Sequence, residues 1–167
     1  MVQFDSQDPY EVVYRFRDVH KAPKLTRETY VPRASTPLLD AMGRGMNELS
    51  AQIAAMDTAD RPEHVLFVVV TDGQENASRE FTRADIVRMI DERKQAGWQF
   101  AFLSADLDAI EEAGHLGVMA QARMAFRKDA AGVQAMYASL DDKVRRVRER
   151  RMRLEFDDDD RKAQEEQ

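Results

Sequence analysis

Cysteine is absent from the 167 residues, and with it disulfides, thiolate metal sites and cysteine nucleophiles. Histidine occurs three times, at scattered positions, which disfavours an imidazole-based zinc site and leaves hard ions on oxygen ligands as the metals to consider. No apolar run approaches the roughly 20 residues that a bilayer span needs. The opening MVQFDSQDPY carries neither a basic leader nor an apolar block, so the expectation is a soluble, cytoplasmic product without membrane contact. An excess of positive charge is lacking too. Lys and Arg number 25 against 31 Asp and Glu, and the net charge of -6 argues against general affinity for nucleic acid.

What the chain does have is one dominant stretch, Val65 to Asn76 (VLFVVVTDGQEN). Its apolar run is short, β-branched and without polar alternation, the pattern of a strand buried on both faces of a parallel sheet. Ligands in open α/β sheets collect beyond the carboxyl ends of such strands, and this end presents Asp72 beside Gly73. Asp72 is therefore the leading candidate site residue.

Around this stretch the order of elements can be read. Val2 to Asp5 and Tyr10 to Val19 form a hairpin through Ser6-Gln7-Asp8-Pro9, with Val12, Tyr14 and Phe16 on one face, and residues 20 to 34 form a loop. Thr36-Pro37 starts a helix that Leu38, Met42, Met46, Leu49, Ile53 and Met56 carry to about 56, with Thr36 as its cap and Gly43 and Gly45 permitting close packing on the sheet. Thr82 to Asp85 opens a second helix that ends near Gly97, Trp98 to Leu103 is a strand, Asp108 to Ala113 a short helix and Ala122 to Arg127 an edge strand. A long helix follows from Ala130 to about Met152 on the stripe Val133, Met136, Tyr137, Leu140, Val144 and Val147. Alternation of this kind predicts a three-layer α/β sheet. Residues 1–152 make one domain, and 153–167 an acidic disordered tail whose charges neutralise the basic run from Lys143 to Arg153. The methionines read as core filler.

STPLLDAMGRGMNEL, followed by VVVTDGQEN, a helix and WQFAFLSADLDA, resembles the von Willebrand factor A (VWA) domain family, especially its small bacterial and phage members. The resemblance covers about residues 1 to 150. It implies a Rossmann-like fold with a mostly parallel central sheet and one antiparallel edge hairpin. It also implies a metal-ion-dependent adhesion site, in which Thr36 is the second-loop threonine and Asp72 the third-loop aspartate holding Mg2+ or Mn2+. The family's first strand and its DxSxS motif have no counterpart in these residues, and Asp5-Ser6-Gln7-Asp8 is a hairpin turn rather than a substitute. Ala34 stands where relatives often carry glycine. With only Thr36 and Asp72 as ligands, metal affinity should be weak or absent. Glu75 and Asn76 could lend oxygens or be solvated.

The resemblance implies a non-catalytic module that grips a protein partner through a shared ion. Two alternatives stay open: a metal-independent truncated scaffold, and a hydrolase or phosphoryl-transfer enzyme using Asp72. The last lacks a DxD pair, a phosphate-binding glycine loop and a histidine near the turn. Without the first strand, the Val65 run should either keep an unpaired edge, which invites self-association, or pair with the hairpin.

Overall fold

The computed structural model describes residues 1–26, 28–30, 35–150 and 152–165, with side chains at all of these except 19 and 150. Ala34, part of the 20–34 loop and the last two residues lie outside it. The class is mixed α/β, with one parallel three-stranded sheet and one antiparallel two-stranded sheet. Among the described residues no helix is long and apolar enough to cross a membrane. The chain divides into two units, residues 1–56 with 75–86, and residues 57–74 with 87–167.

In the first unit, β1 (Val2–Gln3) and β2 (Glu11–Val12) pair antiparallel, Val2 opposite Val12. The hairpin is real but much shorter than its alternation suggests. Beyond Val12 the chain leaves the strand conformation, and Phe16 sits at φ 36, more than half exposed, instead of on a buried face. The turn between the strands is built on Asp5, whose buried carboxylate accepts from the backbone N–H groups of Gln7 (2.7 Å) and Asp8 (3.2 Å). Helix α1 (Leu38–Ala54) follows the predicted stripe, burying Leu38, Leu39, Met42 and Met46. Its Glu48 receives Arg15 and Gln52 and hydrogen-bonds the Tyr10 phenol, which burial and this carboxylate push up to about 12. Helix α2 (Arg83–Gln95) begins in this unit on a reciprocal cap. Thr82 N–H donates to Asp85 Oδ2 (3.0 Å), and Asp85 N–H to Thr82 Oγ1 (3.2 Å). Its far end stops at Gly97, which takes φ 87, the left-handed turn that glycine permits.

The second unit holds the parallel sheet in the order β3 (Leu66–Thr71), β4 (Gln99–Ser104), β5 (Arg123–Ala125). The register runs from Leu66 opposite Gln99 to Thr71 opposite Ser104. Helix α3 (Leu107–His115) connects β4 to β5, and α4 (Ala130–Arg150) follows the last strand. Ala101, Leu103, Met124, Met136 and Val147 form the buried cluster between sheet and α4, and Leu66, Val68, Val70, Leu140 and Val144 pack half-buried around it. Met42, Met46, Met89, Met124 and Met136 are buried as expected of filler, whereas Met119 is exposed.

Of the two outcomes expected for the run from Val65, the unpaired edge is the one found, since β3 hydrogen-bonds to β4 alone and the hairpin forms its own sheet, leaving β3 with one unpaired side among the described residues. The acidic tail, by contrast, is not a solvated appendage. Leu154 and Phe156 are buried in the same cluster as Leu103, and Phe156 N–H donates to the Gln121 carbonyl (2.8 Å). A short helix α5 (Asp158–Lys162) then closes on a capping box between Asp157 and Asp160. Composition flagged the charges and missed the two apolar residues between them. Lys143, itself buried, reaches Asp157 (2.6 Å) and Asp160 (2.7 Å), so the predicted neutralisation occurs as a specific contact. Burial alone would lower the ammonium pKa, but the two carboxylates outweigh it and raise the value.

Candidate functional site

The amino terminus of α1 is where Thr36 sits, and the chain there is held by a loop 40 residues away in sequence. Pro37 occupies the cap position with φ -78 and ψ 65, and makes no side-chain cap bond. The orphan N–H groups of the first turn are satisfied from outside the helix. Leu39 N–H donates to Glu75 Oε2 (2.9 Å), and Asp40 N–H to Ser78 Oγ (3.1 Å). Thr36 itself is clamped by Asn76, which accepts the Thr36 N–H on its side-chain oxygen (2.8 Å) and donates its own N–H to the Thr36 carbonyl (3.2 Å). The expectation that Thr36 caps the helix is thus corrected. Glu75 takes that role, a carboxylate at the positive end of the helix dipole.

Glu75 also accepts from the backbone N–H groups of Ala77 (2.9 Å) and Ser78 (2.7 Å) and from Ser78 Oγ (2.7 Å). Its oxygens and the Asn76 side-chain carbonyl are therefore engaged by backbone and hydroxyl donors. Also in the first turn, the buried Asp40 carboxylate receives three backbone N–H groups, from Arg79 (2.8 Å), Glu80 (2.9 Å) and Phe81 (2.9 Å). Burial would raise the Asp40 pKa, but the three donors, with the Arg44 charge, outweigh it and hold the group below the usual range. The Phe81 ring lies over Gly43, where a Cβ would come within 2.6 Å of it, so this glycine makes room for the loop. Nothing in the sequence reading pointed to Asp40. Its signal is an acidic residue on the apolar face of an amphipathic helix, a position that demands buried donors.

Asp72 belongs to the second unit and is exposed at the carboxyl end of β3. There Thr71 Oγ1 donates to the Gly73 carbonyl (3.2 Å). Gln74 spans to the end of β4, donating its amide to Asp108 Oδ2 (2.9 Å) and Asp106 Oδ1 (3.3 Å). Asp106 caps α3 through the N–H groups of Asp108 (2.9 Å) and Ala109 (3.1 Å), and the Ala109 donor leads the influences that lower its pKa. The carboxyl ends of β3 and β4 thus form an acidic rim in which Asp106 and Asp108 share one amide. A cleft of about 280 Å³ lies elsewhere, at the amino end of β4, lined by Trp98, Met119 and Leu154 among others.

Whether a divalent ion fits can be judged from the donors. Such an ion wants about six oxygens. Among the described residues no three His, Asp or Glu side chains converge as a metal-holding group. The two side chains that could have added oxygens, Glu75 and Asn76, are spent on α1 and Thr36. No family model matches this chain, and no curated protein or solved structure does either.

Proposed function

We propose that this chain is a non-catalytic protein-interaction module of the VWA type, with a three-layer Rossmann-like arrangement, that engages its partner without a divalent ion. The observation that carries this reading is the commitment of Glu75 and Asn76 to the amino terminus of α1. The loop that would complete an ion site instead fastens to the helix, and Asp72 remains an exposed surface carboxylate. The rim of Asp72, Asp106 and Asp108 offers acceptors to a partner's basic side chains or backbone amides. Asp106 and Asp108 share the Gln74 amide, and the Lys128 charge acts on Asp106 as well.

The test is affinity capture of partners with and without chelator, using the chain and its Asp72→Asn variant. Capture should be insensitive to chelator and weakened by high salt. Capture that is lost with chelator and restored by Mg2+ or Mn2+ would overturn the ion-independent reading.

A further inference from the structure

The cleft at the amino end of β4 lies wholly within the second unit, where the sheet is incomplete. β5 pairs with β4 only from Phe102 onward, so Gln99 to Ala101 have no β5 residue beside them. Two other segments line the cleft there, the turn after α3 and the chain at 153–155, and both are pinned. Lys94 Nζ donates to the Gly117 carbonyl (3.2 Å) and Val118 N–H to the Ala113 carbonyl (2.9 Å), around a Gly117 whose φ of 93 closes the turn. Leu154 N–H donates to Gln99 Oε1 (2.6 Å), and Phe156 N–H to the Gln121 carbonyl (2.8 Å). The walls are held in place by the fold itself, which spares a ligand the cost of ordering them.

The lining divides by chemistry. Phe100, Val118 and Leu154 are buried and apolar. Trp98 is half-buried, fixed by the Phe100 ring at 6.4 Å between centroids and by the Arg93 guanidinium at 5.8 Å. Met119 is exposed and brings a polarisable thioether suited to an aromatic neighbour. The charged lining consists of Lys94 and Arg153 against Glu155, all exposed. Arg153 makes no ion pair among the described residues, and the Lys94 ammonium lies 3.8 Å from its carboxylate neighbour, Asp91. In a chain of net charge -6, a cationic excess beside an apolar cleft favours an anion with an apolar body.

We propose that this cleft binds a small aromatic carboxylate, its ring against Trp98 and Met119 and its carboxylate at Lys94 and Arg153. The volume of about 280 Å³ falls near the lower end, roughly 300 Å³, of the range of ligand pockets, which suits a single ring with a short acidic side chain. An ammonium in the same place would meet two cations for one carboxylate. The cleft is separate from the rim of Asp106 and Asp108, so the proposal stands or falls independently of a partner there.

Trp98 is the chain's single tryptophan, so its emission reports on the cleft in the intact protein. The test is a titration of the full chain with 3-phenylpropionate, with its neutral amide and with 3-phenylpropylamine, which share one ring and differ in charge. The expected result is a saturable change in Trp98 emission with the acid, several-fold weaker binding of the amide and weaker binding still of the amine. Lys94→Gln and Arg153→Gln, at exposed positions, should each weaken the acid several-fold, and the double variant should bind acid and amide alike. No saturable change up to millimolar acid, equal binding of all three compounds, preference for the amine, or an acid preference that survives in the double variant would each overturn the proposal. If the double variant fails to fold, the three compounds on the wild-type chain still decide.

Discussion

Asp40 shows how one side chain can hold a loop to a helix. Removing its charge while keeping its shape, as Asp40→Asn does, turns an amide NH2 toward backbone donors that need an acceptor. The cost should be about 1–3 kcal/mol at neutral pH, measured by urea unfolding. The pH dependence has a fixed sign. The folded-state pKa of Asp40 lies below its unfolded value, so its contribution is complete above the ordinary carboxylate range and is lost as pH falls through the folded-state value. The gap between wild type and Asp40→Asn should therefore narrow on acidification. A gap that stays constant would mean that the carboxylate charge is not what the three N–H groups read.

At the level of elements the tail carries the clearest consequence. Phe156 is buried against the α4 cluster and Lys143 ties Asp157 and Asp160 to the same helix. Phe156→Ala should lower stability by about 3–5 kcal/mol. A change within the error of thermal unfolding would restore the solvated-tail reading. Helices α1 and α2, strands β3 and β4 and the two caps of α2 were legible in the sequence because period, proline, glycine and hydroxyl signals are local. The hairpin was legible only as a turn. Its strands end after Val12 because the residues beyond, including Phe16, leave the strand conformation despite their alternation. The tail was misread for the opposite reason, since its two apolar anchors find their partners on α4 and on the 120–122 turn, which no local pattern records. The candidate site was half legible. Asp72 could be placed at a strand end by pattern, but the roles of Glu75, Asn76 and Asp40 depend on contacts that span 36 to 41 residues.

Taken as a whole molecule, the chain keeps the α/β framework of a parallel sheet while its carboxyl-end loop serves the fold, with Glu75 and Asn76 holding the start of α1. Asp72, outside that network, should be replaceable by asparagine within about 1 kcal/mol of stability. The claim that this loop is structural, and not ion-binding, is tested most directly by titration calorimetry with Mg2+ and Mn2+ on the wild-type chain and Asp72→Asn. The account predicts no saturable heat in the micromolar range from either protein and the same baseline for both. A tight, stoichiometric site in the wild type that vanishes in Asp72→Asn would contradict it.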